Sequence, residues 1–386
     1  MITPRQALDR RLDDVVGGEQ PAAPLLVGGC GCGRTTVLER LARLAGTSRC
    51  QLVDVERTAT TPERFYRTLV ATSPFLAAHD AGTPASPREA FDATLAFLAS
   101  ARRRDGGPAV FLLDEVLEFR TFESFPGLRT ALADLCGAIA DSPNTFVMTS
   151  RFAARASRLV EGRRPPFDLI AVPPLTVDEV CAAGTDVGGD GLDADTAAVV
   201  HGLGNGKPAH VLALVGAMRE TSRDGATDPV GALAALLAPE GRLTAWCRYC
   251  YEFRLHRARG YGALKAILDV LSEDEPLTLT AIAQRLHRTP GSTRDYLSWL
   301  EDVDLVEVTG KRYSYADPLL RLWVRLHRRP WPPSDDDVAR EVRGYALARL
   351  AAPPTPAPSA PAPPAETPAV PVRRPAARSW GIIEID

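Results

Sequence analysis

Residues 25–36, Leu-Leu-Val-Gly-Gly-Cys-Gly-Cys-Gly-Arg-Thr-Thr, place an apolar strand directly before a glycine-rich turn and an amphipathic helix. Residues without a Cβ let a chain approach an anion closely, so that several backbone N–H groups converge on it. From Gly28 to Thr35 the spacing fits the phosphate-binding pattern G-x-x-x-x-G-K-[ST], except that Arg34 stands at the lysine position. The segment therefore predicts an α/β P-loop fold with a site for nucleotide phosphates.

The predicted loop supplies the candidate nucleotide-binding residues, which are Gly28, Gly29, Cys30, Gly31, Cys32, Gly33, Arg34, Thr35 and Thr36. The helix that starts near Arg34 directs the positive end of its dipole at the phosphates, and the Thr35 hydroxyl is placed to ligate Mg²⁺. Arginine keeps the charge of lysine, but its planar fork is bulkier than an ammonium. We therefore expect binding to survive this substitution better than turnover. The alternative is a glycine-rich turn without a ligand.

A second predicted strand ends in two carboxylates. Residues 109–115, Ala-Val-Phe-Leu-Leu-Asp-Glu, form a continuous apolar run of the kind found in parallel sheets that are covered on both faces. At the carboxyl end of such a strand, Asp114 is expected to hold Mg²⁺ through water and Glu115 to polarise the attacking water. The predicted cofactors are therefore ATP and Mg²⁺.

Further strands are predicted at 50–55, 144–149 and 168–172. Because the carboxyl ends of parallel strands share one edge of a sheet, Thr149 or Ser150 is placed to sense the γ-phosphate or to position water. Arg151 is a candidate catalytic residue that reaches a phosphate of its own nucleotide or of a neighbouring subunit's nucleotide, which would require an oligomer. A solvated strand end is the alternative for Arg151.

The order of these elements resembles a known group of proteins. A P-loop strand, an intervening strand, Leu-Leu-Asp-Glu, a strand ending in Thr-Ser-Arg and then Val-Pro-Pro-Leu-Thr resemble the AAA+ and STAND ATPases, particularly archaeal-type ATPases related to origin-recognition proteins. Residues 199–218 resemble the Gly-Gly-x-Pro helix start of that group's helical lid, and residues 316–323 resemble its Asp-Pro-x-Leu-x-x-Trp segment. The resemblance implies a lid, in which Lys207 either contacts the nucleotide or is solvated, and a winged helix.

The apolar spacing in the last third of the chain agrees with a winged helix. The segment from Leu264 to Leu271 marks a first helix, Thr280 is expected to cap a second, and Pro290 opens a third. Residues 305–315 then predict a hairpin wing.

The predicted third helix and wing carry Arg294, Lys311 and Arg312 as candidate contacts to DNA or to a protein partner. Binding to the phosphate backbone needs an excess of positive charge. Residues 261–330 contain ten Lys or Arg and ten Asp or Glu, so the excess is absent. We therefore rank docking to a protein or within the chain slightly ahead of DNA recognition.

Five segments are predicted, namely a P-loop domain (1–175), a helical lid (176–240), a winged-helix domain with flanking helices (241–350), a Pro/Ala-rich linker (351–378) and a docking peptide (379–386). The Pro/Ala-rich linker is expected to form a disordered tail. Its prolines make it an extended, semi-rigid spacer. The terminal peptide offers Trp380 and Ile383 as anchors for a protein partner. The alternatives are a tail that folds back on its own domain or one that stays disordered.

The whole chain has 386 residues, 45% of them hydrophobic, and a formal net charge of −3. The sequence has neither an 18-residue apolar run nor an amino-terminal signal, so we expect no membrane insertion and a cytoplasmic location. Its seven cysteines argue against a disulfide framework.

The combined prediction is an ATP-binding switch that couples its nucleotide state to a protein partner, with slow or absent hydrolysis. Whether it is an enzyme stays open, because a weak ATPase fits the same residues. A DNA-binding regulator of transcription, replication or a mobile element, with a structural nucleotide site, is one alternative. A non-catalytic scaffold is the other.

Overall fold

The computed structural model describes residues 2–18, 20–76, 83–162, 167–186, 191–221, 228–256, 260–328 and 331–351. The predicted docking peptide with Trp380 and Ile383, and all of the predicted linker beyond residue 351, lie outside the described residues.

A parallel sheet forms the centre of the amino-terminal half. Its strands are β1 (Ala23–Val27), β2 (Cys50–Asp54), β3 (Val110–Asp114), β4 (Thr145–Ser150) and β5 (Phe167–Ala171), in the order β2-β3-β4-β1-β5. Each neighbouring pair is parallel, and β1, β3 and β4 are buried throughout. This arrangement confirms the predicted α/β class. It also brings the carboxyl ends of β3 and β4 beside the loop that follows β1.

Helices cover both faces of the sheet. They are α1 (Pro4–Gly17), α2 (Arg34–Ala45), α3 (Val55–Thr58), α4 (Pro62–Ala71), α5 (Pro87–Ser100), α6 (Ala131–Ala140) and α7 (Ala153–Val160), with a 3₁₀ helix at Val116–Ser124. Successive side chains of a strand point to opposite faces. Leu112 of β3 accordingly packs with Leu12 and Leu38 of α1 and α2, whereas Phe111 packs in the cluster that contains Phe65 of α4.

The predicted lid is helical. It contains α8 (Val177–Asp186), α9 (Ala194–Gly204), α10 (Pro208–Thr221) and α11 (Pro229–Leu237), and α12 (Arg242–His256) follows. The apolar face predicted for α10 is buried, as at Val211 and Leu214. The last helix, α17 (Asp335–Ala351), returns to the lid, where the Tyr345 hydroxyl donates to the Leu203 carbonyl at 2.9 Å.

The elements of the next unit follow the order predicted for a winged helix. They are α13 (Tyr261–Glu273), β6 (Leu277–Thr278), α14 (Leu279–Arg285), α15 (Pro290–Asp302), β7 (Val306–Thr309) and β8 (Arg312–Tyr315). We call residues 260–315 the winged-helix-like unit; α16 (Pro318–His327) follows it. The three strands pair antiparallel in the order β6-β8-β7.

The predicted cap of α14 is wrong by two residues. Thr278, and not Thr280, accepts a hydrogen bond from the Ala281 N–H at 3.2 Å. Thr278 ends β6 in an extended conformation, which suits a cap, whereas Thr280 already lies inside the helix. Among the described helices, none is long and apolar enough to cross a membrane.

Candidate nucleotide site

The glycine-rich loop after β1 has the backbone that its sequence predicts. Gly31 and Gly33 have φ of +79° and +92°, a region that glycine adopts without steric cost. Gly33 is the N-cap of α2, and no side chain caps the first turn. The N–H groups of that turn are therefore available to an anion in the loop.

The Arg34 side chain folds back into the loop. Its Nη1 donates to the carbonyl oxygens of Gly28 and Gly29, the latter at 2.9 Å, and its Nη2 donates to Glu115 Oε1 at 2.7 Å. Arg34 is 7% exposed and Glu115 is 5% exposed. The arginine at the lysine position is thus held by the loop itself and by the acid that follows β3.

Glu115 is held on both carboxylate oxygens. Besides the bond from Arg34, Oε1 lies 3.1 Å from Arg151 Nε, and Oε2 accepts a hydrogen bond from the Arg151 backbone N–H at 3.0 Å. Burial alone would raise the pKa of Glu115, but the positive charges of Arg34 and Arg151 outweigh it and lower that pKa. A carboxylate held in this way is a weakened base.

Two oxygen groups lie side by side where Mg²⁺ is predicted. The Thr35 hydroxyl donates to Asp114 Oδ2 at 2.8 Å, and the Thr149 hydroxyl donates to the other oxygen of Asp114. Hard oxygen ligands of this kind suit Mg²⁺, which takes one or two of them from a protein and the rest from phosphates and water. Thr35 and Asp114 therefore fit the predicted ion.

Of the two hydroxyl residues at the end of β4, Thr149 is the one at the carboxylates. Its oxygen also accepts a hydrogen bond from the Glu115 N–H at 3.0 Å. The Ser150 hydroxyl instead accepts from the Phe152 N–H at 3.1 Å. The structure therefore does not bring the side chain of Ser150, a predicted site residue, to the two acids.

Arg151 is buried, at 7% exposure, and not a solvated strand end. Its guanidinium pairs with Glu56 in α3 as well as with Glu115, and it lies 4.9 Å from the centre of the Phe253 ring. Glu56 is a site residue that the motifs missed, although its place just after β2 follows the same strand-end rule. The charge of Arg151 is thus paired with two carboxylates of its own chain.

The lid residue Lys207 is paired with Asp317, the N-cap of α16. Its ammonium donates to Asp317 Oδ2, and Asp317 also caps α16 by accepting from the Leu319 N–H at 3.0 Å. His210 Nε2 lies 3.8 Å from the same carboxylate, and burial lowers the pKa of His210 to about 4. The lysine is therefore not solvated, and its contact with a nucleotide stays a prediction.

Three other elements touch the loop directly. A Cβ on Gly31 would lie 2.6 Å from Ala209 Cβ and 3.3 Å from the Trp246 ring, and the Ala209 N–H donates to the Gly31 carbonyl at 3.1 Å. From α1, Arg5 Nη2 donates to the Cys32 carbonyl at 2.7 Å. The loop is thus in contact with α1, with the lid and with α12, so that a shift of the loop must displace them.

The candidate DNA contacts lie away from this site. Arg294, Lys311 and Arg312 are exposed on the winged-helix-like unit. The other end of α15 docks on the P-loop domain, where Asp302 pairs with Arg158. Part of this helix therefore docks within the chain, as proposed from the sequence alongside docking to a protein and DNA recognition.

Comparisons with known proteins bear on the fold. Neither a protein-family model nor a curated protein matches the sequence. A Walker-type ATPase of Pyrococcus abyssi superposes with a TM-score of 0.63 at 16% identity, over 84% of this chain and 96% of that chain. RuvB of Thermotoga maritima, at 14% identity, aligns over 86% of this chain and 95% of that one, with a TM-score of 0.42. A chain of the Drosophila origin-recognition complex bound to DNA, at 15% identity, aligns over 88% of this chain and 85% of that one, with a TM-score of 0.42.

The Pyrococcus structure shows that the chain has the fold of a Walker-type ATPase. It confirms, at the level of the fold, the resemblance inferred from the motifs. TM-scores of 0.42 are too low for the other two structures to inform on this chain.

Proposed function

We infer that this chain, a Walker-type ATPase by its fold, is an ATP-binding switch that turns ATP over slowly or not at all and couples its nucleotide state to a protein partner. The observation that carries this proposal is the double hold on Glu115 by Arg34 and Arg151. A general base needs an accessible oxygen and a pKa near the working pH. Both oxygens of Glu115 are held by arginine groups, and its pKa is lowered, away from that range.

The same pair gives the site two alternative arrangements. In the structure, Arg34 uses the loop carbonyls and Glu115 as its hydrogen-bond acceptors. Phosphate oxygens in the loop would be stronger acceptors than the neutral loop carbonyls, because hydrogen bonds to ionised groups are about twice as strong. ATP binding would then draw Arg34 Nη1 from the loop carbonyls, while Arg34 Nη2 and Arg151 keep their hold on Glu115.

Mg²⁺ supplies charge neutralisation for the phosphates when it is bound. Thr35 and Asp114 are the residues that would hold it, because their oxygens already lie 2.8 Å apart. Thr149 fixes the orientation of Asp114 through its hydroxyl.

Coupling to the rest of the chain is supported by the lid. Ala209 contacts Gly31 in the loop, and Lys207, two residues earlier, is paired with Asp317 at the start of α16. A loop that moves on binding phosphate would shift both contacts. The partner is proposed to dock through Trp380 and Ile383, outside the described residues.

A second candidate function is DNA binding. It is favoured by one observation, the exposure of Arg294, Lys311 and Arg312 on the winged-helix-like unit. The balanced charge of residues 261–330 weighs against it.

The direct test is to follow labelled ATP on the purified protein with Mg²⁺. We expect ATP to bind and to remain largely intact. Typical enzymes have turnover numbers of about 1 s⁻¹ or more, and we expect the turnover number here to be at least about 100-fold lower. Turnover of about 1 s⁻¹ or faster would show an ordinary ATPase instead of a switch. If the protein does not bind ATP at all, the remaining interpretation is that the loop is a glycine-rich turn without a ligand.

A further inference from the structure

One face of α12 lies along the P-loop. A Cβ on Gly31 would lie 3.3 Å from the Trp246 ring, and a Cβ on Gly29 would lie 3.7 Å from Arg254 Nη2. Side chains four residues apart on a helix share a face, so the residue midway between Trp246 and Arg254 also faces the loop. The residues midway between the two pairs, one on the helix and one in the loop, are both cysteines.

These two cysteines, Cys250 and Cys30, form a hydrogen bond in which the Cys250 thiol is the donor. This bond, together with the positive charge of Arg254, lowers the pKa of Cys30 well below the usual range of a thiol, against the opposing effect of burial. Cys250 is buried, whereas Cys30 is partly exposed. Cys30 is thus a thiolate that a small solute can reach, and the thiolate is the form of cysteine that oxidants attack.

The cysteines next to this pair have different surroundings. Arg34 Nη1 donates to Cys32 Sγ at 3.4 Å, so that thiol is directed into its own loop. Cys247 is 3% exposed, and burial raises the pKa of Cys247. All seven cysteines of the chain are free. The pair on α12 and the loop therefore combines a reachable thiolate with a second thiol that is hydrogen-bonded to it.

We propose that Cys30 is a modification site for hydrogen peroxide and that its oxidation ends in a disulfide with Cys250. In the first step the Cys30 sulfur attacks one peroxide oxygen; an S–O bond forms, the O–O bond breaks and hydroxide leaves, which gives a sulfenic acid. In the second step the Cys250 sulfur attacks the Cys30 sulfur, and the S–S bond forms as the S–O bond breaks. The Cys250 proton leaves with that oxygen as water. The two sulfurs are thereby oxidised, and the peroxide is reduced.

The first step prepares Cys250 for the second. The hydrogen bond to Cys30 is the main reason that the pKa of Cys250 is raised, followed by burial and by the negative charge of Cys30. A sulfenic acid at Cys30 removes that charge, while the positive charge of Arg254, which acts in the opposite direction, stays in place. Cys250 therefore becomes a better nucleophile once Cys30 is oxidised.

The disulfide would fix the P-loop to α12. In the proposed function the loop moves when it binds phosphate, and a covalent bond to α12 would oppose that movement. We therefore expect the oxidised protein to bind ATP more weakly. This consequence rests on the proposed function, whereas the formation of the disulfide does not.

The test treats the purified full-length protein with hydrogen peroxide, blocks the remaining thiols and maps disulfides by mass spectrometry after digestion with trypsin. Trypsin releases Cys250 on residues 249–254, apart from Cys247, and releases Cys30 on residues 12–34. We expect these two peptides to be linked, and we expect dithiothreitol to remove the link. A wild-type protein in which peroxide oxidises other cysteines and leaves this pair unlinked would overturn the proposal.

Cys32→Ser is the matched control, because Cys32 lies on the same tryptic peptide as Cys30. This variant should form the link as wild type does, whereas Cys30→Ser and Cys250→Ser should not. A link that persists in Cys30→Ser would assign the reaction to Cys32 and overturn the proposal. Fragmentation of the linked wild-type peptide distinguishes the two cysteines even if a variant does not fold.

Calorimetry with Mg²⁺-ATP tests the consequence for binding. Oxidised wild type should bind ATP at least about tenfold more weakly than reduced wild type, because the disulfide leaves only a small fraction of the protein in the binding arrangement. Dithiothreitol should restore the affinity. Equal affinities in the linked and reduced proteins would overturn the effect assigned to the disulfide. A reduced protein that binds no ATP would instead contradict the nucleotide switch, and the linked peptides would still form.

Discussion

Arg34 Nη2 lies 2.7 Å from Glu115 Oε1, in an ion pair whose two side chains are each 7% exposed. The residue at the lysine position of the P-loop and the residue expected to act on water are therefore each other's partner. Such a buried pair is costly to break from one side, because the remaining charge is left without compensation. Under the proposed function, the same pair restrains catalysis.

Glu115→Gln should lower stability more than turnover. Removing one partner of a buried pair typically costs about 3–5 kcal/mol. Arg34 would lose its carboxylate, and Arg151 would keep only that of Glu56. We expect urea denaturation to give a free energy of unfolding lower by about 3 kcal/mol, with ATP turnover within a few-fold of wild type. Glu123→Gln, which breaks the partly exposed pair with Arg120, is the control and should cost under about 1 kcal/mol. A large loss of turnover with stability retained would assign Glu115 to catalysis.

Arg34→Lys should keep or raise ATP turnover. The substitution restores the residue that the P-loop pattern contains, and a compact ammonium has fewer donors than the guanidinium with which to hold Glu115. Steady-state phosphate release, measured beside ATP affinity, checks this. Turnover that falls below wild type while ATP binding persists would mean that Arg34 has a catalytic part that lysine cannot replace.

Asp304 should make stability depend on pH. Burial raises its pKa from 3.8 to about 6, against the opposing charge of Arg254 and the hydrogen bonds from the amides of Ala153 and Ala154. The folded state therefore binds more protons than the unfolded state between about pH 4 and 6, so this contribution to stability is full below pH 4 and is lost as the pH rises through 6. Asn at this position keeps the acceptor for Ala153 and tolerates the φ of +51°.

The unfolding free energies of wild type and Asp304→Asn are therefore to be compared at pH 4.5 and pH 8. The unfolding free energy of Asp304→Asn, relative to that of wild type, should be higher at pH 8 than at pH 4.5. Because other groups titrate equally in both proteins, the difference isolates Asp304. A difference that does not change with pH would contradict the assigned pKa.

DNA binding by the winged-helix-like unit should be weak and sensitive to salt. Its exposed cations Arg294, Lys311 and Arg312 are too few for strong counterion release in a charge-balanced region. Fluorescence anisotropy should detect DNA binding only at salt concentrations up to about 50 mM. The variant with all three cations replaced by alanine should not bind DNA. Tight, sequence-specific binding at about 200 mM salt would make the DNA-binding regulator the better account.

Two sequence signals predicted the residues nearest the P-loop. They are the motifs and the rule that carboxyl ends of parallel strands share one edge of a sheet. Thr35, Asp114, Glu115 and Arg151 meet because each lies at or after the carboxyl end of a strand whose place in a parallel sheet can be read from its apolar run. The same rule could not choose between Thr149 and Ser150. Neighbouring residues of a strand face opposite sides, and a boundary uncertain by one residue exchanges them.

The outer part of the site could not be predicted from the sequence. Arg254 and Asp304 reach the loop and α7 through the packing of α12 and α15, far along the chain from β1. No local pattern encodes which face of such a helix meets a distant loop. The pairing of Lys207 with Asp317 is of the same kind, although both residues lay in segments that the sequence had singled out.

The most direct test of the central claim is thermal unfolding with and without Mg²⁺-ATP. We predict a rise in Tm, since a ligand at about 100 times its Kd stabilises the folded state by about 2.7 kcal/mol. Thr35→Ala should lose the Mg²⁺ dependence of that rise, because its hydroxyl is the partner of Asp114, whereas Thr36→Ala should keep it. An unchanged Tm at millimolar ATP with Mg²⁺ would contradict the account.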